Sequence, residues 1–142
     1  MADFESRFLR VIDANFNRAK EGLRVCEDMC RFWLEDSAMT KTFKGLRHDL
    51  TKVMIPLGLK KLMAGRDIEG DVGRKSSKSE SFRKKPSDIF YANSQRIKES
   101  LRVLEEFAKL KSAKTSQAIK ALRYKVYGIE KKVLTSRTFD DR

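Results

Sequence analysis

The stretch that decides the fold is Asn17–Asp28, "NRAKEGLRVCED", because the chain says it again at Gln95–Glu106, "QRIKESLRVLEE". Seven of the twelve positions coincide: Arg18/Arg96, Lys20/Lys98, Glu21/Glu99, Leu23/Leu101, Arg24/Arg102, Val25/Val103 and Glu27/Glu105. Ala14–Asn15 upstream matches Ala92–Asn93. The charged residues match better than the apolar ones.

Around the first copy, the apolar residues Phe8, Ile12, Phe16, Ala19, Leu23, Cys26, Cys30 and Trp33 follow one another at steps of three or four. That is the spacing of one helix face. It predicts a helix from about Glu5 to Leu34, roughly 45 Å long at the usual rise. Asp36 or Ser37 then caps a second helix from about Met39 to Met63, which Pro56 and Gly58 should kink or interrupt. After a long loop, Ser87 or Asp88 caps a third helix from about Ile89 to Leu110, with Ile97, Leu101, Leu104 and Ala108 inward. A fourth runs from about Ser116 to Leu134, with Ile119, Leu122, Val126, Ile129 and Val133 inward. The residues beyond should fray.

The second helices echo each other too. "KGLRHDL" from Lys44 resembles "KALRYKV" from Lys120. The repeated unit is therefore a helical hairpin. Two hairpins, each with one apolar face, bury those faces against each other. The fold class is all-α, an up-and-down bundle of two pseudo-repeated hairpins. It forms one domain over residues 1–142, with repeat one at about 5–64, a loop at about 65–87 and repeat two at about 88–135.

The composition agrees. Of 142 residues, 37% are charged and 40% apolar, with only two prolines and seven glycines. Long amphipathic helices with solvated outer faces have this balance, and turn-rich β proteins do not. The net charge of +12 attracts anions, whether nucleic acid, anionic lipid or small phosphates. The positive charge is interleaved with 20 acidic residues, which counts against nucleic acid as the partner. Cys26 and Cys30 continue the apolar stripe and read as buried free thiols of a reducing compartment. No apolar run reaches membrane-spanning length and no signal peptide pattern opens the chain, so the expected location is cytoplasmic and no membrane partner is expected.

Three places offer chemistry. On the first helix Asn15, Arg18, Gly22 and Val25 form a seam beside the apolar stripe, with Asn93, Arg96, Ser100 and Val103 as counterparts. A small residue there lets a backbone or a ligand approach, and a guanidinium fork suits phosphate. The same seam could equally be a polar interhelical register. Glu21, Arg24, Glu27 and Asp28 read as ordinary surface ion pairs. The second place is "GRDIEGDVG", Gly65–Gly73. Asp67, Glu69 and Asp71 can hold a hard cation such as Mg²⁺, and Gly70 and Gly73 can aim N–H groups at phosphate. It could also be a plain surface turn. "RKSSKS" and "FRKK" follow as a basic segment able to close over polyphosphate. The third is Arg47–His48 and the matching Arg123–Tyr124, where Arg47, His48 and Arg123 are phosphate-binding candidates.

Together, "RVIDANFNRAKEGLRVCEDMCRF", "LRHDL", "GRDIEGDVG", "ANSQRIKESLRVLEEFAKL" and "ALRYKVYGIEK" resemble one all-helical domain that is often fused to thiamine-phosphate synthase (pyrophosphorylase) and also occurs alone. The resemblance covers about residues 8 to 134. The barrel that carries the synthase reaction is not expected in a chain this short. The resemblance implies a phosphotransferase of thiamine biosynthesis, a hydroxymethylpyrimidine phosphate kinase using ATP and Mg²⁺. A phosphate monoester oxygen is ionised above a second pKa of about 6, so such a reaction needs cations more than a base. On this reading Arg66, Asp67 and Asp71 serve catalysis, with Asp67 and Asp71 as metal ligands. Asn15, Arg18, Asn93, Arg96, Arg47, His48, Arg123 and Gly73 hold substrate. The alternative is a non-catalytic companion of thiamine-phosphate synthase; a basic nucleic-acid-binding module ranks below both. A homo-oligomer is left open.

Overall fold

The computed structural model describes residues 3–75, 82–136 and 139. Four long helices carry the fold: α1 (Phe4–Asp28), α2 (Ser37–Met54), α3 (Pro86–Ala108) and α4 (Ala113–Leu134). No strand occurs among the described residues. Each hairpin packs its own two helices together, and α1 lies against α3 at the centre.

The helix ends follow local chemistry. The Asp3 carboxylate accepts from Ser6 N–H at 2.8 Å, and the Asp36 carboxylate accepts from Met39 N–H at 2.8 Å, so each caps the orphan donors of a first turn. Ser112 does the same for α4, accepting from Thr115 N–H at 3.1 Å. At α3 the cap is reached differently from the sequence expectation. Pro86 takes the first helical position, where its missing N–H costs nothing, and Asp88 accepts from Lys85 N–H at 3.2 Å.

Two boundaries differ from the expected ones. The α1 helix widens into a π turn over Met29–Trp33, with Leu34 N–H donating to Met29 O at 2.9 Å. The extra residue rotates the stripe. Leu34 is therefore buried in place of Trp33, which is 39% exposed and donates Nε1–H to Phe139 O at 3.1 Å. Helix α2 stops at Met54, nine residues short of Met63 by subtraction. Pro56 and Gly58 divide the remainder into two 3₁₀ pieces, Ile55–Leu57 and Leu59–Gly65, hinged at Gly58 with φ 83°.

Every residue assigned inward on α3 and α4 is buried. The core is completed by Phe43 edge-on to Phe90, ring centroids 5.8 Å apart. Cys26 and Cys30 are free thiols inside it. Burial pushes both thiols up, that of Cys30 to about 12.

The two inner helices run antiparallel. Cys26 Sγ lies 3.9 Å from Phe90 O near one end of their contact. At Gly22 the backbones are so close that a Cβ would stand 2.7 Å from Ile97 Cγ1 and 3.1 Å from Asn93 O. The small residue of the first seam thus admits the neighbouring helix. No helix among the described residues is long and apolar enough to cross a membrane.

Candidate anion site

Beyond this close approach, the segment after Gly65 lies beside α1 and α3. Between them is an open cleft of ≈ 1230 Å³. Helix α1 contributes Arg7, Arg10, Asp13, Asn15, Arg18 and Glu21; the connecting segment contributes Arg66, Asp67, Asp71, Gly73, Arg74 and Arg83; α3 contributes Arg96, Glu99, Ser100 and Val103. Seven of the chain's fourteen arginines line this one cleft, and no described lysine does. Five carboxylates share it.

These charges are not all paired. Arg66 is gripped by Asp13: its Nε and Nη2 each donate to a different carboxylate oxygen at 2.8 Å. The carboxylate raises the pKa of Arg66, first through these hydrogen bonds and then through its charge. Arg74 pairs with Glu69 at 3.2 Å. Among the described residues, no carboxylate comes within ion-pair distance of Arg10, Arg18 or Arg96. Arg18 Nη1 has only a long approach of 3.4 Å to Asn15 Oδ1. Three guanidinium groups thus face one cleft without a counter-ion, the arrangement that suits an added anion.

The sequence candidates divide accordingly. Asn15, Arg18, Arg66, Asp67, Asp71, Gly73 and Arg96 come together in the cleft. Asn93 does not line it. Its Nδ2 donates to Ile89 O at 2.8 Å, as Asn15 Nδ2 donates to Val11 O at 2.9 Å, so each amide spends one of its two N–H donors inside its own helix. The four seam residues therefore do not all converge. Arg47 and Arg123 also lie outside the cleft lining, because each is held by a carboxylate of its own hairpin: Arg47 by Glu27 at 3.1 Å and Arg123 by Glu105 at 3.0 Å. His48 is exposed on α2, and Tyr124 is exposed on α4. Glu27, assigned to the surface by its spacing, is buried beneath that ion pair.

Asp67 and Asp71 turn their own loop. Asp67 Oδ1 accepts from Gly70 N–H at 2.8 Å, and Asp71 Oδ1 accepts from Gly73 N–H at 2.9 Å. Gly73 therefore points its N–H at Asp71. No group of three or more potential metal-ligating side chains occurs among the described residues. Part of the basic segment, residues 76–81, lies outside the described residues.

Sequence reasoning missed Asp13 and Arg10. Asp13 follows Ile12 at the edge of the apolar stripe, and nothing in its local spacing points to Arg66. Arg10 looked like an ordinary member of a basic surface, whereas Arg74 and Arg83 belong to the basic segment already singled out.

The fold and its cleft describe a small all-α protein built of a duplicated helical hairpin with an arginine-lined cleft. The family model described as the ThiD2 family matches residues 10–132, and the chain belongs to that family. It is similar to proteins named thiamine-phosphate synthase: from Nostoc punctiforme, at 39% identity over 88% of this chain and 35% of the relative; from Synechocystis, at 40% over 90% and 36%; and from Thermosynechococcus vestitus, at 41% over 87% and 34%. The chain thus spans little more than a third of the length of these relatives. No solved structure matches. These findings overturn the kinase expectation. The relatives carry the name of a synthase, a different reaction, and the matched module is a short helical one.

Proposed function

We propose that this chain is a helical companion of thiamine-phosphate synthase in thiamine biosynthesis, acting in the cytoplasm, and that its cleft holds a phosphorylated pyrimidine by the phosphate. The family match and the names of the relatives support the pathway. The observation that carries the ligand class is that Arg10, Arg18 and Arg96 line one cleft with no carboxylate partner among the described residues.

A phosphate monoester near neutral pH carries about −1.5 to −2 charges. A guanidinium presents two parallel donors to such a group, and each charge-assisted hydrogen bond contributes roughly 1.5–3 kcal/mol. Holding a phosphate requires neither a base nor a nucleophile. A Mg²⁺ ion carried in with a diphosphate would be held by the second carboxylate oxygens of Asp67 and Asp71. Two carboxylates do not fill a magnesium shell, so the rest must come from phosphate and water. ATP was expected with the kinase reading and here serves as a polyphosphate probe.

The test is calorimetric titration of the chain with hydroxymethylpyrimidine phosphate, the free alcohol and ATP, each with and without Mg²⁺, and co-purification with the synthase of the same cell. The monophosphate should bind at least about tenfold tighter than the alcohol, since an alcohol leaves the arginines unpaired. Equal affinities would sink the phosphate reading, and a synthase that never co-purifies would sink the companion reading.

A further inference from the structure

We infer that Asp13 is a positioning residue of the cleft: it fixes Arg66, and through it the 66–74 segment, against α1, and does not itself meet the anion. The inference rests on the cleft being an anion site.

Asp13 is 5% exposed, which is unusual for a carboxylate on the wall of a site that attracts anions. Both of its oxygens are occupied. Oδ2 accepts from Arg66 Nε at 2.8 Å; Oδ1 accepts from Arg66 Nη2 at 2.8 Å and from Asn17 Nδ2 at 3.0 Å. The backbone is pressed to α1 at the same point, since a Cβ on Gly65 would stand 2.9 Å from Leu9 Cβ. Beyond Arg66 the segment turns on itself, through Asp67 with Gly70, Asp71 with Gly73 and Arg74 with Glu69. Those bonds shape the segment without reaching α1. The Arg66 fork supplies that reach. It also spends Arg66 on Asp13, so the phosphate is left to Arg10, Arg18 and Arg96.

Charge alone makes the opposite forecast. Asp13→Asn removes a negative charge from the cleft wall, and simple Coulomb attraction would then tighten an anion. Positioning requires the reverse, because the segment loses its anchor. A bidentate pair orients as well as attracts, and a neutral amide cannot accept both forks.

The experiment titrates the full chain with inorganic pyrophosphate and follows trypsin cleavage after Arg66 and Arg74. Asp13→Asn should bind pyrophosphate at least about tenfold more weakly than the wild type, with faster cleavage and unchanged helical circular dichroism; Asp13→Glu, which keeps the carboxylate, should recover most of the loss. Equal or tighter binding by folded Asp13→Asn would overturn this inference alone. A wild type that does not bind pyrophosphate would overturn it together with the anion reading. If Asp13→Asn does not fold, Arg66→Lys poses the same question, since lysine keeps the charge and loses the fork. Faster cleavage after Arg74 with weaker binding supports the clamp, and an unchanged profile overturns it.

Discussion

Arg123 donates its Nε–H to Glu105 Oε1 at 3.0 Å between α4 and α3, and the first hairpin repeats the arrangement with Arg47 and Glu27 at 3.1 Å. Each hairpin therefore carries its own charged lock between its two helices. This accounts for the pairing of matched glutamates in the repeated phrase with matched arginines in the helix that follows. The glutamate also raises the pKa of Arg123, mainly through this hydrogen bond.

Removing one member should destabilise the fold. Glu105→Ala removes the carboxylate that faces the buried Arg123, leaving it only Tyr124 and Tyr127, and breaking such a pair costs about 3 kcal/mol. Glu27→Ala should cost less, because the Arg47 side chain is 18% exposed against 9% for Arg123. Urea unfolding midpoints measure both. Pyrophosphate affinity of the folded Glu105→Ala protein should be unchanged; a large loss would show that this pair serves the ligand after all.

The unpaired arginines should behave in the opposite way. Arg18→Ala and Arg96→Ala each remove a charge-assisted contact of roughly 1.5–3 kcal/mol, so the Kd for the pyrimidine phosphate should rise about 10- to 100-fold. Stability should stay within about 0.5 kcal/mol, as for other exposed positions. A variant that unfolds while its folded fraction binds normally would contradict this.

Two glycines on helices should respond with opposite signs. Gly22→Ala drives a methyl into Ile97 and the Asn93 carbonyl and should cost about 1–3 kcal/mol. Gly128→Ala meets nothing within 4 Å on an exposed helix face and should stabilise by roughly 0.5–1 kcal/mol. Thermal unfolding of the two variants side by side tests the close approach of α1 and α3.

The buried thiols predict a loss of stability in alkali. Their folded pKa values are raised, from 9.0 to about 12 for Cys30, so the neutral thiol favours the folded state. That contribution is complete below pH 9 and declines as pH rises from about 9 towards 12, because the unfolded chain ionises first. Stability of the wild type should fall across this window more steeply than that of Cys30→Ala. Equal slopes would mean that the thiol does not contribute.

Much of the fold could be read from spacing. The stripe from Phe8 to Cys30 and the inward residues of α3 and α4 required only a period of three or four. Trp33 escaped because a π turn adds one residue to the count, whereas Pro56 and Gly58 interrupt the second helix, one of the two outcomes their residue types allow. The site was less legible for a different reason. Arg18 and Arg96 could be picked out because the repeat displays them twice. Asp13 and Arg66 occur in unrelated stretches, and their bond exists only once the chain has folded back on itself. Arg47 and Arg123 looked like phosphate ligands because the sequence shows an arginine but not the carboxylate already facing it.

The segment from Arg66 to Arg74 lies between the two repeats and, among the described residues, lines the cleft that Arg18 and Arg96 share. It can wall only one of the two faces that the doubled phrase creates. Stoichiometry follows from this asymmetry. Although Arg18 and Arg96 come from matched positions, they serve one cleft, and each chain should take up a single anion. A hairpin separated from its partner would keep its Glu–Arg lock yet have no complete place for a guest.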